Sequence, residues 1–203
     1  GAATRMFKSI FAELSSAEVS GTKKNRFNSA EFPSISALAD SLDKFAFADD
    51  LKVIPSFDPS DPFSVAIHLL TEKGLNYASL PKGLIKFHRY NSGSRTPLEE
   101  QLVESAHFYK DGTGISRNVF TVSPEHREKF VSLYNNIKDK YQRSLNVTFD
   151  VGFSLQKAST DKIAVDPDNK PFRTEDGRLL FRPAGHGALL ENLNDLQEEI
   201  VII

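Results

Sequence analysis

The feature that most constrains this chain is an alternation of periodicities. From about residue 80 onward, short strand-like stretches take turns with stretches whose apolar residues recur every three or four positions. Asn118-Val119-Phe120-Thr121-Val122 reads as a strand, and Ser123-Pro124-Glu125 opens a helix carrying Phe130, Leu133, Tyr134 and Ile137. Leu145, Val147, Phe149 and Val151 alternate as a half-buried strand does. Thr96-Pro97-Leu98-Glu99 combines a capping box with proline at the first helical position, and Leu102, Val103 and Ala106 continue that helix. Asp176-Gly177 marks a tight turn before a strand at Arg178-Leu179-Leu180-Phe181, and Gly187 opens a helix through Leu189, Leu190 and Leu193. Strands alternating with helices predict an α/β layered fold.

The first 75 residues read as mostly helical. Met6, Phe7, Ile10, Phe11 and Leu14 predict a helix over residues 4–14, and the polar stretch 15–33 reads as a loop. Ile35, Leu38, Leu42 and Phe45 predict a second helix. Asp61-Pro62 places an N-cap residue before proline at the first helical position, for a helix through Val65, Leu69 and Leu70 ended by Gly74. Leu80 to His88 reads as a turn followed by a strand-like stretch, and Glu199-Ile200-Val201-Ile202-Ile203 as a buried strand. The opening Gly1-Ala2-Ala3-Thr4-Arg5 reads as a glycine turn that usually follows a strand, so the chain is expected to be an excerpt of a longer protein.

Composition narrows the function classes. With 25 Lys+Arg against 27 Asp+Glu the net charge is −2, which gives no long-range attraction to nucleic acid or anionic lipid. No apolar run approaches the ~18 residues of a membrane span. The chain has no cysteine, which excludes disulfides and thiolate metal sites. No charged-then-apolar leader follows Gly1, and a cytoplasmic location is the expectation. Neither nucleic acid nor membrane is expected as a partner.

Ligands of α/β sheets bind where strands end and loops enter helices. Three such loops stand out. Small residues at Gly1-Ala2-Ala3-Thr4 would let backbone approach a phosphate, with Arg5 as a forked donor; an ordinary helix start is the competing reading. In Pro81-Lys82-Gly83, a lysine held between proline and glycine would meet a phosphate as a point charge, or would be a solvated surface lysine. In Arg182-Pro183-Ala184-Gly185-His186-Gly187, two glycines would let a flat base or a phosphate lie against the backbone while His186 donates, or would form a structural turn.

Other patterns weigh less. Asp166-Pro167-Asp168 has the form of a metal-holding pair, yet Pro167, Asn169 and Pro171 favour a solvated turn. Asn146-Val147-Thr148 matches a glycosylation acceptor but falls in an expected strand. His68, His107 and His126 fall in expected helices, with no spacing that suits zinc.

Taken together, the loops resemble those of nucleotide-sugar pyrophosphorylases, especially the UDP-sugar branch, and more closely the DUF4301 family. The family's opening G-x-G-T-R followed later by P-K is matched by Gly1-Ala2-Ala3-Thr4-Arg5 and Pro81-Lys82-Gly83. Phe153-Ser154-Leu155-Gln156 is similar to its F-x-Q stretch, and Gly177 to Leu190 to the strand leading into its G-[HN]-G loop. The resemblance covers most of residues 1–14 and 75–203; Ala3 in place of a second glycine is a departure expected to crowd the phosphates.

The resemblance implies a Rossmann-like nucleotide-diphospho-sugar transferase fold of the GT-A type, a three-layer sandwich around a mixed, mainly parallel sheet. Residues 1–203 would be part of that domain, with 15–75 as a mostly helical insertion. The implied reaction makes a nucleotide sugar from a nucleoside triphosphate, UTP, and a sugar 1-phosphate, releasing pyrophosphate. The implied cofactor is Mg²⁺, with its aspartate ligand expected beyond Ile203. The implied roles are phosphate cradling by Gly1 to Thr4, leaving-group contact by Arg5 and transition-state contact by Lys82. Gln156, Gly185 and Gly187 would frame the base, and His186 would touch ribose or phosphate. A glycosyltransferase of the same fold and a degenerate binding domain are the alternatives.

Overall fold

The computed structural model describes residues 3–20, 27–183 and 186–203. After a 3-10 turn at Ala3–Arg5, the first part is helical: α1 (Lys8–Ser20), α2 (Pro33–Asp40), α3 (Ala48–Lys52) and α4 (Pro62–Leu70). Local chemistry explains several of these ends. Pro33 and Pro62 stand at first helical positions, where a missing N–H costs nothing. Asp61 Oδ1 accepts from the Phe63 N–H at 3.1 Å, as the sequence predicts. No side chain of its own caps α2. Instead Glu13 of α1 reaches across, and its two oxygens accept from the Ser34 and Ile35 N–H groups, both at 2.9 Å. This satisfies otherwise orphaned donors and sets a negative charge on the positive end of the helix.

One hydrophobic cluster unites these helices, with Ile35, Leu51, Val65, Leu69 and Ile85 fully buried. Its polar members are satisfied: His68 sits between Ser56 Oγ on Nε2 (2.9 Å) and the Ser64 carbonyl on Nδ1 (2.8 Å). Helix α4 stops at Leu70, before Gly74. The glycine lets the chain fold back on the helix end: the Leu75 N–H donates to the His68 carbonyl at 2.7 Å, and a Cβ at position 74 would lie 2.0 Å from that oxygen.

The second part is mixed. A short hairpin, β1 (His88–Tyr90) with β2 (Gly93–Arg95), precedes α5 (Pro97–Phe108). The expected capping box is present. Glu99 Oε2 accepts from the Thr96 N–H at 2.7 Å, and the Glu99 N–H donates back to Thr96 Oγ1 at 3.3 Å. The other Glu99 oxygen accepts from Tyr141 at 3.0 Å, which ties the start of α5 to the next helix; burial, then the adjacent carboxylate, raise the Tyr141 phenol above its ordinary range.

Next come β3 (Ile115–Val122), α6 (Arg127–Leu145) and β4 (Thr148–Leu155), with the strands parallel from Ile115↔Thr148 to Val122↔Leu155. Asn146 ends α6 in the left-handed region (φ 49°), so it caps a helix and does not lie in a strand. Helix α5 packs on β3 and α6, and α6 on β4, around Leu102, Ala106, Tyr141, Val147 and Phe149. The last part carries β5 (Lys162–Ile163) paired antiparallel with β6 (Phe181–Arg182), then α7 (Leu190–Asn194). The turn at Gly177 (φ 82°) is where the sequence places it.

The fold is thus mixed α/β. Its sheets among the described residues are three pairs, one parallel and two antiparallel, rather than one broad sheet. Several boundaries differ from expectation. Helix α2 ends at Asp40, and Leu42 falls in a separate 3-10 turn at Leu42–Lys44. Leu145 closes α6 instead of opening the strand, which starts at Thr148. The expected strand at Arg178–Phe181 is a single bridge at Leu179 followed by the pair Phe181–Arg182. Helix α1 continues to Ser20, because Ala17, three positions after Leu14, keeps the buried face going while its neighbours stay in solvent. Residues 199–203 form no strand, and Ile200 and Ile203 are 81% and 97% exposed, because no neighbouring strand among the described residues pairs with them. No helix among the described residues is long and apolar enough to cross a membrane.

Candidate functional site

The parallel pair gives the molecule a carboxyl end, and several sequence-selected loops gather around it. Leu155 ends β4, and the next residue, Gln156, donates its N–H to the Val122 carbonyl at the end of β3, 3.0 Å away. The chain leaving β3 enters a 3-10 turn at Pro124–His126 and then α6. Against the first turn of α6 lies a second 3-10 turn, Lys82–Leu84, whose Gly83 packs on Phe130; a Cβ there would meet the ring at 2.9 Å. Pro81 is buried, so the turn is anchored while Lys82 projects into solvent.

The opening turn joins this group through the backbone. The Ala3 N–H donates to the Leu80 carbonyl at 3.2 Å, setting Ala3–Arg5 beside the lysine turn. Ala3 is fully buried in the helical cluster, so its methyl group faces the core. Arg5 and Lys82 are exposed, and neither has a carboxylate partner among the described residues.

The third loop reaches the same end from the other side of the chain. The 3-10 turn His186–Leu189 leads into α7, where Asn192 Nδ2 donates to the Leu155 carbonyl at 2.8 Å. Thr160 Oγ1 holds the turn through the Ala188 carbonyl at 3.2 Å, and Lys157 pairs with Asp195 at 2.6 Å. Gly187 is exposed, and a Cβ there would meet nothing within 4 Å. The loops bearing Ala3 and Arg5, Lys82, Gln156 and Gly187 therefore share one end of the β3–β4 pair. No hydrogen bond or ion pair joins Arg5, Lys82 and Gln156 to one another among the described residues. Gly1, Ala2 and Gly185 lie outside the described residues, as do the side chains of Thr4 and His186.

Two polar atoms at this end were not assigned to the site from the sequence, where His126 reads only as a helical histidine and Asn192 gives no motif. Among the described residues, three buried side-chain atoms lack a hydrogen-bond partner: His126 Nδ1, Asn192 Oδ1 and Glu100 Oε1. Glu100 Oε1 has the Arg95 guanidinium 3.7 Å away. The other two flank the strand ends, His126 after β3 and Asn192 on the last residue of β4. Burial lowers the His126 imidazole below its ordinary range, which favours the neutral ring at pH 7. An orphaned buried polar atom costs about 1–3 kcal/mol, so each calls for an explanation, and a ligand or ordered water is one. The available signal for Asn192 was an amide following Ala188 and Leu189 by three to four residues, at helical spacing.

Other groups are committed elsewhere. Asp166 Oδ1 accepts from the Asp168 and Lys170 N–H groups, both at 2.9 Å, which makes Asp166-Pro167-Asp168 a self-closed turn. Among the described residues no group of three or more His, Asp or Glu side chains could hold a metal ion. A mostly apolar groove of about 530 Å³ runs past Phe7, Ile10, Leu38 and Phe87, and none of the candidate site residues lines it.

The candidate site therefore belongs to a mixed α/β protein whose candidate loops collect at the carboxyl end of a strand–helix–strand unit. The family model described as Domain of unknown function (DUF4301) matches residues 1–203, and the chain belongs to that family. No curated protein and no solved structure matches it.

Proposed function

We propose that this protein is a nucleotidyltransferase of the GT-A, Rossmann-like type. It would join a nucleoside triphosphate, UTP, to a sugar 1-phosphate and release pyrophosphate. The observation that supports this most is the Ala3–Leu80 hydrogen bond, which brings the Ala3–Arg5 turn and the lysine turn together beside α6. A phosphate chain would lie across two cationic side chains that have no competing carboxylate among the described residues. The buried methyl of Ala3 faces the core, so it leaves the ligand side of the turn open.

The chemistry asks little of a general base. An oxygen of the sugar phosphate, already anionic, attacks the α-phosphorus in line, and the bond to the β-phosphate oxygen breaks to release pyrophosphate. Alignment and charge neutralisation carry the rate. Arg5 would steady the leaving pyrophosphate and Lys82 the α-phosphate. Gln156 and Gly187, with Gly185, would frame the base, and His186 would reach ribose or phosphate. Gly1, Ala2 and Thr4 would complete the cradle. Mg²⁺ belongs to the proposal as a further source of positive charge. The described residues do not form a site that fits it, so no step here runs through the metal.

The test is pyrophosphate release by the protein with UTP, Mg²⁺ and a panel of sugar 1-phosphates. Thermal-shift titrations with UTP, ATP, CTP and GTP accompany it, and UTP alone is expected to stabilise the protein at micromolar levels. Nucleotide binding without turnover would leave a binding domain. Equal shifts with all four nucleotides would discard the uridine preference. The self-closed turn at Asp166 gives no support to a glycosyltransferase that holds a metal through that pair.

A further inference from the structure

The orphaned oxygen of Asn192 reaches beyond the reaction class to the choice of base, and the inference rests on the nucleotide reading above. Asn192 is 4% exposed. Its amide nitrogen faces the Leu155 carbonyl at 2.8 Å. Only the NH₂ end of an amide can donate to a carbonyl, so this contact fixes the flip and identifies the other end as Oδ1. That oxygen accepts no hydrogen bond among the described residues. It is therefore an acceptor held in place by its own other end, at the exit of β4 and next to Gln156.

We propose that Asn192 Oδ1 accepts the imide N3–H of uracil and so sets uridine over cytidine nucleotides. Uracil carries a proton on N3, whereas cytosine presents a lone pair there. A fixed carbonyl-type oxygen pairs with the first and repels the second. A site built around a donor on its ligand rejects analogues that lack it, because the protein group is then left unpaired. Oδ1 is covered in the free protein. The base can therefore reach it only if the turn held by the Thr160 hydroxyl on the Ala188 carbonyl opens on binding.

The full chain is titrated calorimetrically with UTP, CTP and N3-methyluridine 5′-triphosphate. UTP is expected to bind about 10- to 100-fold tighter than either analogue. Asn192→Leu, checked for folding by its ligand-free melt, is expected to bring UTP and CTP within about threefold of each other. Equal affinity of the unaltered protein for all three overturns the inference and leaves the nucleotide reading standing. Absence of binding by any nucleotide removes both. An undiminished preference in Asn192→Leu also overturns it, because another group must then read N3. If Asn192→Leu does not fold, a structure of the unaltered protein with UTP decides. N3 within about 3.2 Å of Oδ1 supports the inference, and a base seated elsewhere refutes it.

Discussion

The helical first part and the loops at the carboxyl end of β3 and β4 treat their polar groups in opposite ways. In the helical part, Ile35, Leu51, Val65 and Leu69 are 0% exposed, and the polar atoms among them are paired: His68 with Ser56 and Ser64, and the start of α2 with Glu13. At the strand ends, among the described residues, Lys82 and Arg5 stand without counter-ions, and His126 Nδ1 and Asn192 Oδ1 are buried without partners. The difference sets a self-satisfied scaffold apart from the candidate site. A region that satisfies itself supports stability, while polar capacity left open in a packed setting marks where something else completes the structure.

Glycine substitutions test this contrast most strongly. Gly74→Ala would drive a methyl group to 2.0 Å from the His68 carbonyl, and a loss of more than about 3 kcal/mol is expected in urea melts. Gly187→Ala meets open space, so its stability should stay within about 0.5 kcal/mol of the parent while UTP binding weakens. Equal stability losses at the two positions would erase the distinction.

Lys82→Ala should behave as a site substitution. Turnover is expected to fall by ~100-fold or more, as for other charged transition-state contacts. The melt should be almost unchanged, since the side chain is exposed. Pyrophosphate release at the parent rate would remove Lys82 from the mechanism.

Two smaller effects belong to the scaffold. Asp61→Ala removes the cap of α4 and should cost about 1 kcal/mol by urea denaturation with activity retained. The other effect is alkaline. Burial raises the Tyr77 phenol from its ordinary 10.0 to about 12. The folded state therefore holds that proton more tightly than the unfolded chain does. Its contribution is full below pH 10 and is lost as the pH rises toward about 12. Tyr77→Phe should flatten that part of the stability profile, measured as melts across this range. An unchanged profile would place the alkaline loss elsewhere.

Local chemistry was legible in the sequence and long-range pairing was not. The Asp61 cap, the Thr96–Glu99 box, the turn at Gly177 and the alternation through Phe149 and Val151 depend on near neighbours, and each is present. The hairpin of β1 and β2 has strands of three residues, too short to show a period. Residues 199–203 carry the apolar character of a strand, but a strand exists only beside a partner. At the site, the motifs pointed to Lys82 and Gln156 one at a time. The bond from Ala3 to Leu80 and the orphaned end of Asn192 arise from packing between segments far apart in the chain.

Hydrogen exchange at short labelling times, with and without UTP and Mg²⁺, tests most directly whether the separate loops form one nucleotide pocket. The account predicts that amides of Ala3–Met6, Lys82–Ile85, Gln156 and Gly187–Ala188 slow together, while α2 and α4 exchange as before. Slowing in a single loop, or in none, would contradict it.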